Sequence, residues 1–164
     1  MINIREASEA DFEAIWPIFE AITKAGETYA YPTDISKADA KIIWLDKPRK
    51  TYVFEEYQKI LGTYFIKTNQ DGPGSHVCNC GYMVSSDARG RGLATQLCKH
   101  SQTIAGQLGY KAMQFNCVVG SNEGAIRLWN KLGFDTVGRL PKAFNHPKQG
   151  YVDALIMYKW LEKV

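Results

Sequence analysis

The sequence predicts an α/β (α+β) protein: a mixed, mostly antiparallel central sheet of about seven strands flanked by four helices. Three observations carry this expectation. Apolar residues alternate with period two in some stretches and recur at helical spacing in others. Those stretches follow the order strand, two helices, three strands, helix, strand, helix, two strands. The chain has 164 residues, 45% of them apolar and 23% charged, with no internal repeat or linker, so one domain over 1–164 is expected.

The elements follow in order. Ile2 to Ala7 reads as a short strand. Ser8 offers a helix cap, with Asp11 as its capping-box partner. Phe12, Ile15, Trp16, Phe19 and Ile22 then form one apolar stripe, and Gly26 stops the helix. Pro17 should kink this helix or mark its true start. Glu27 to Asp34 is a polar-aromatic loop. Ser36 with Asp39 opens a shorter helix carrying Ile42, Ile43 and Leu45, closed near Pro48. Thr51–Glu55 and Ile60–Lys67 are strands joined closely enough for an antiparallel hairpin. A Gly-Pro-Gly turn precedes a strand from His76 to Ser85. A helix from Leu93 ends at Gly109, and Met113–Val119 is a buried strand. Ser121 or Asn122 caps a helix bearing Ala125, Leu128, Trp129 and Leu132, which Gly133 terminates. Phe134–Leu140 and Tyr151–Trp160 are the last strands, with a Pro-, Lys-, His- and Asn-rich loop between them.

Charge and composition exclude several classes. Lys plus Arg number 20 and Asp plus Glu 17, and the resulting +3 is too small to argue for nucleic acid or an anionic membrane as a partner. No apolar run approaches the ~20 residues of a membrane span. The start of the chain lacks the basic-then-apolar pattern of an export signal, so a cytoplasmic location is expected. Cys78, Cys80, Cys98 and Cys117 are expected as reduced thiols packed as small hydrophobes. Cys78-Asn79-Cys80 lacks zinc-ligand spacing, and no metal site is expected.

The chemistry concentrates in Arg89-Gly90-Arg91-Gly92-Leu93-Ala94-Thr95, between a strand and a helix. Glycines let main-chain N–H groups turn inward, the helix start adds partial positive charge, and two arginines add more; this is an anion cradle. It lacks the Gly-Lys-Ser/Thr of a nucleoside triphosphate loop. Thr95 stands where a dinucleotide fingerprint needs a third small residue.

Val84, the Arg89-x-x-Gly92-x-Ala94 core and the run Asn122-Glu-Gly-Ala-Ile-Arg-Leu-Trp-Asn-Lys-Leu-Gly-Phe134 together resemble the GNAT superfamily of acyl-CoA-dependent N-acetyltransferases. The resemblance extends over nearly the whole chain, because the element order also matches the GNAT fold. It implies that acetyl-CoA is the acetyl donor. Tyr82, Met83 and Val84 would meet its pantetheine arm through main-chain atoms, and Arg89, Gly90, Arg91, Gly92, Leu93, Ala94 and Thr95 would hold the pyrophosphate. Asn122 would reach the donor from the late helix, and it is the residue to which the resemblance gives a catalytic place. The implied reaction is direct transfer: an amine attacks the thioester carbon, a strand N–H stabilises the oxyanion and the thiolate leaves. Many family members carry a tyrosine at the position of Trp129 as the acid for that thiolate; an indole N–H cannot serve. Nothing in the sequence supplies Cys117 with an activating base for a covalent role.

Asn79 and Asn116 lie within apolar strands, where a buried amide needs partners. Each either bonds the neighbouring backbone where the sheet splays or faces an acceptor pocket. The phrases around Asn79, around Asn116 to Asn122 and from Tyr151 to Ile156 resemble a subgroup, the fungal-type L-azetidine-2-carboxylate acetyltransferases, which act on proline analogues. Asn79, Asn116, Cys117, Tyr29 and Tyr31 are the candidate acceptor-binding residues. His76, His146, Glu27, Asp34 and Asp153 are the candidate bases. A small-molecule amine is the expected acceptor, and a homodimer is compatible with the family. A protein or peptide acetyltransferase and a non-catalytic acyl-CoA-binding module are the competing readings.

Overall fold

The computed structural model describes residues 1–161. Its single mixed sheet has the strand order β1-β2-β3-β4-β5-β7-β6. The strands are β1 (Ile2–Glu6), β2 (Lys50–Glu56), β3 (Lys59–Thr68), β4 (Val77–Val84), β5 (Ala112–Val119), β6 (Asp135–His146) and β7 (Gly150–Trp160). The helices are α1 (Phe12–Ala25), α2 (Lys37–Lys41), α3 (Leu93–Gln107) and α4 (Glu123–Lys131). Every neighbouring pair is antiparallel except β4 with β5.

Strand alternation sorts side chains into two cores on opposite faces of the sheet. On one face Phe54, Tyr64, Ile66, Cys78 and Cys80 pack against Leu93, Leu97, Cys98 and Ala105 of α3. On the other, Val53, Phe65 and Met83 pack against Phe12, Ile15 and Phe19 of α1 and against Trp44. The capping box at Ser8 forms as expected, with the Ser8 N–H donating to Asp11 Oδ2 at 2.6 Å. The β2–β3 hairpin turns at Tyr57 and Gln58, both at positive φ (48° and 65°). That is the twist that suits a tight antiparallel turn.

Three expectations are corrected. Pro17 neither starts nor interrupts α1; it lies inside the helix on the exposed face, where the carbonyl it leaves unpaired can meet water. α2 does not continue as a regular helix. It passes into a π-turn (Ile42–Asp46), whose wider winding shifts the apolar phase. Trp44 is therefore the side chain driven fully into the core, while Ile42 is 40% exposed. The region from Pro141 to Gly150 is mostly strand, not loop. β6 runs to His146 because the ladder breaks register between Leu140 and Phe144, leaving Pro141 in a bulge where no N–H is needed. In that bulge the Lys142 N–H donates to Asp153 Oδ1 at 3.0 Å.

Candidate active site

The cleft opens where β4 and β5 stop pairing. They share register only at Val77↔Ala112 and Cys78↔Met113, then diverge. Asn79 spans the opening, its Nδ2 donating to the Gln114 carbonyl at 2.9 Å. It replaces a ladder bond with a side-chain one, the backbone-bonding option for this residue, while still lining the cleft. Further along, β5 loses register with β7 between Phe115 and Val118, and this irregularity leaves Asn116 and Cys117 exposed. The gap between the strands is a cleft of about 440 Å³.

Strand parity decides which main-chain groups face the gap. Ser85 N–H donates to the Leu61 carbonyl and Asn69 N–H to the Val77 carbonyl, both on the β3 side. The His76 carbonyl accepts from Lys111 N–H on the β5 side. By alternation, Gly81 and Met83 turn their main chain toward β3, whereas Cys80, Tyr82 and Val84 turn theirs into the gap. Met83 thus meets the cleft through its side chain.

The Tyr82 groups already have a partner. Tyr29 Oη accepts from the Tyr82 N–H at 2.7 Å and donates to the Tyr82 carbonyl at 2.6 Å. Tyr29 comes from the loop after α1. Its ring stacks on Tyr31 (centroids 5.6 Å apart, planes 4° from parallel) and meets Trp44 edge-on. Burial pushes the Tyr29 hydroxyl well above its ordinary acidity range and the Tyr31 hydroxyl up to about 12. Both hydroxyls stay protonated at neutral pH.

At the C-terminal end of β4 the chain makes a short 3-10 turn (Ser86–Ala88) and enters the glycine loop. Gly90 (φ 75°) and Gly92 (φ 78°) adopt left-handed conformations that L side chains rarely take. Gly92 caps α3 and brings no side chain to the cap. The first helical bond is Gln96 N–H to the Gly92 carbonyl at 3.2 Å. The N–H groups of Leu93, Ala94 and Thr95 therefore have no acceptor within the helix, which is the donor array an anion needs. Arg89 lines the adjoining cleft. Arg91 is engaged elsewhere, its Nη2 donating to both Glu56 carboxylate oxygens at 2.7 and 2.8 Å. These residues fit a pyrophosphate held by main-chain N–H groups and the Arg89 guanidinium.

Asn122 lines the facing wall and caps α4, its Oδ1 accepting from Ala125 N–H at 3.2 Å. Capping uses the oxygen and leaves the amide nitrogen for the cleft. Trp129 packs on Tyr82 and Phe115, with centroids 5.2 and 5.0 Å away, so it both lines the cleft and completes the core. Asn116 is held by its neighbours: its Nδ2 donates to Asn69 Oδ1 at 2.7 Å and its Oδ1 accepts from Gln114 Nε2 at 2.9 Å. Cys80 and Cys117 line the cleft; full burial raises the Cys80 thiol well above the ordinary range, and partial desolvation raises that of Cys117. Cys117 is exposed, unlike the other three cysteines, which corrects its expected place in the core.

None of the candidate bases lines this cleft. His146 Nδ1 accepts from Lys148 and Gln149 N–H groups and so caps the β6–β7 turn. Asp153 faces Arg139 at 3.4 Å. Glu27 pairs with Lys148 at 3.0 Å, which holds its carboxyl below the usual range and ties the β6–β7 turn to the loop after α1. His76 is exposed beside Trp160, and Asp34 is exposed. Lys67 and Phe65, by contrast, line the cleft without having stood out in the sequence. The signal for them was the period-two alternation of β3 opposite Asn79, which has meaning only once the register is known.

The fold has known counterparts. A structure from Kribbella flavida, described as a GCN5-related N-acetyltransferase, is 40% identical, with a TM-score of 0.93 over 98% of both chains. The structure of yncA from Salmonella typhimurium with its cofactor acetyl-CoA shares the fold, with a TM-score of 0.87 at 21% identity over 100% of this chain and 96% of that one. Among curated proteins, N-acetyltransferase aca1 of Schizosaccharomyces pombe is 38% identical over 98 residues, 59% of this chain and 47% of aca1. Protein SPT10 of Saccharomyces cerevisiae is 28% identical over 86 residues, 52% of this chain and 13% of SPT10. The chain thus spans about half or less of the length of these curated relatives. The model of the acetyltransferase (GNAT) family matches residues 7–134, most of the chain and all of the cleft's strands from β3 to β5, and the chain belongs to that family.

Proposed function

We propose that this protein is an acetyl-CoA-dependent N-acetyltransferase acting by direct transfer on the amine of a small molecule, with proline analogues such as L-azetidine-2-carboxylate as the acceptor class. Acetyl-CoA is the acetyl donor of the family and supplies, when bound, an activated acetyl group. The observation that carries the reading is the split between β4 and β5. Beyond Cys78 the β4 main-chain groups that face it have no partner on β5, and β4 leads through the glycine loop to the N–H array at the start of α3. An extended amide arm ending in a pyrophosphate matches that sequence of partners.

Each residue then has a task. Val84 offers main-chain hydrogen bonds to the arm, and Leu93 to Thr95 with Arg89 hold the pyrophosphate. The Tyr82 N–H, which faces the gap, is the main-chain donor for negative charge on the reacting carbonyl, sharing that bond with Tyr29 Oη or taking its place. Asn122 orients the donor from α4. The Tyr29 hydroxyl, protonated and bound to Tyr82, is the proton source nearest that N–H, which gives it the acid's place that Trp129 cannot fill. The acceptor loses its proton to water, because no carboxylate or imidazole lines the cleft among the described residues.

A small acceptor is favoured over a protein by the lining of the cleft. It is a space of about 440 Å³ whose wall includes the stacked Tyr29 and Tyr31 and the amides of Asn79 and Asn116, and no acidic residue that a basic peptide would need lines it among the described residues. The test is acetyl-CoA consumption with a panel of amines, imino acids and peptides. L-Azetidine-2-carboxylate should turn over faster than any peptide. Turnover of peptides alone would replace this reading with the protein acetyltransferase one.

A further inference from the structure

The cleft carries an electrostatic asymmetry that bears on what enters it. Among the described residues its lining contains two permanent cations, Arg89 and Lys67, and no Asp or Glu. Arg89 follows β4 at the glycine-loop end. Lys67 stands on β3 opposite Asn79, near the start of β4. Asn79 and Val84 are five residues apart on β4, roughly 17 Å at ordinary strand rise. One cation thus serves the donor's phosphates, and the other lies beyond their reach, at the acceptor end.

Lys67 is held toward the cleft. Its ammonium lies 5.3 Å from the centroid of the Phe65 ring, itself part of the lining. It is exposed to solvent and, like several other lysines, makes no ion pair among the described residues. A cation kept over an aromatic face, in a lining shared with the amides of Asn79 and Asn116 and with no anion paired to it among the described residues, is set to take an anion from solution.

We propose that Lys67 is the specificity-determining residue for the acceptor: it grips a carboxylate that the acceptor carries next to its amine. This rests on the N-acetyltransferase reading above and names the substrate class of the same site, an α-amino or α-imino acid. The pairing also helps the chemistry. A carboxylate beside an ammonium holds its proton on, and engaging that carboxylate with Lys67 releases some of this hold. More of the bound acceptor is then the neutral nucleophile. A polyamine or a lysine side chain meets repulsion from Lys67 and finds no counter-charge.

The experiment uses the full chain with Lys67→Met and Lys67→Arg variants and two acceptors, L-azetidine-2-carboxylate and azetidine, which lacks the carboxylate. Turnover is measured alongside calorimetric binding to the protein saturated with CoA. Lys67→Met should raise KM and Kd for the carboxylated acceptor about ten- to a hundredfold. It should leave the KM for acetyl-CoA unchanged and azetidine, itself a cation, bound no more weakly than before, and Lys67→Arg should restore most of the loss. Binding that depends on Lys67 without any acetylation would sink the enzymatic reading and keep this one. Equal losses for both acceptors, no loss for either, or a wild-type protein that prefers azetidine would overturn the assignment of Lys67 while leaving acetyl transfer standing.

Discussion

The Tyr29 hydroxyl takes both main-chain groups of Tyr82, accepting from its N–H at 2.7 Å and donating to its carbonyl at 2.6 Å. A side chain 53 residues away thus does for β4 what β5 would do in a closed sheet. The N–H concerned faces the gap that separates the two strands. Whatever occupies that gap must share it with Tyr29 or turn the hydroxyl aside.

Removing that hydroxyl separates binding from chemistry. Tyr29→Phe leaves the ring stack with Tyr31 in place and deletes only the oxygen. The kcat should fall at least about a hundredfold, the lower range for loss of a general acid, while acetyl-CoA binds as well as before or more tightly. Steady-state kinetics with calorimetric binding of CoA distinguish the two effects. A variant with full kcat would assign the proton transfer to water.

The same residue sets a pH signature. Burial raises the Tyr29 hydroxyl above the ordinary tyrosine range, so its acid form persists as pH rises. The kcat should therefore show no falling limb between about pH 8 and 10. A falling limb in that window would take the acid's place away from Tyr29 and give it to a group that titrates there.

Much of this site is local and was legible for that reason. The glycine loop, the Asn122 cap and the element order depend on near neighbours in sequence, and each formed as read. What escaped reading depends on register or on helical phase. The Tyr29–Tyr82 contact exists only when the loop folds over the opened strand. Lys67 becomes a cleft residue only because β3 pairs it with Asn79. Trp44 enters the core because a π-turn rotates α2, so the 3.6-residue period pointed to Ile42 instead. The continuation of β6 past Pro141 needed a bulge that no composition rule announces.

Trp44 also supports the site from behind. It is fully buried, its Nε1 donates to Thr63 Oγ1 at 3.1 Å, and its ring meets Phe19, Tyr29 and Phe65 edge-on. Trp44→Ala should cost about 3–5 kcal/mol in denaturant unfolding. The milder Trp44→Phe should fold, with a raised acceptor KM, because Tyr29 loses the wall that orients it. An unchanged acceptor KM in Trp44→Phe would confine its role to stability.

The glycine loop should respond to conformation rather than to bulk. A Cβ added at Gly92 meets nothing within 4 Å, yet the residue sits at φ +78°. Gly92→Ala therefore meets strain of about 1–2 kcal/mol, not a clash. The loop should relax away from the left-handed turn and disperse its N–H groups. CoA affinity should drop severalfold or more, with Gly92→Val no worse than a few times Gly92→Ala. A wild-type CoA affinity in both variants, measured by calorimetry, would remove the loop from the donor site.

The Arg5–Asp11 contact predicts how the fold responds to acid. Arg5 reaches both Asp11 carboxylate oxygens, at 2.8 and 2.9 Å, and also Glu55 at 2.8 Å, pinning the start of α1 to β1 and β2. The Arg5 guanidinium, with help from the Ser8 N–H, lowers the Asp11 carboxyl from 3.8 to about 2. A carboxylate whose folded value lies below its unfolded one contributes stability that is fully present above the unfolded value. That stability is lost as pH falls through the folded one. The window is therefore about pH 4 down to about pH 2. Asp11→Asn should melt at a lower temperature than the wild type at pH 6, and the gap should narrow steadily across that window as the wild-type carboxylate takes up its proton. Melting curves at half-unit pH steps would show it. A gap that stays constant down to pH 2 would mean that the charge of the Asp11 carboxylate, and with it the ion pair with Arg5, adds nothing to the fold.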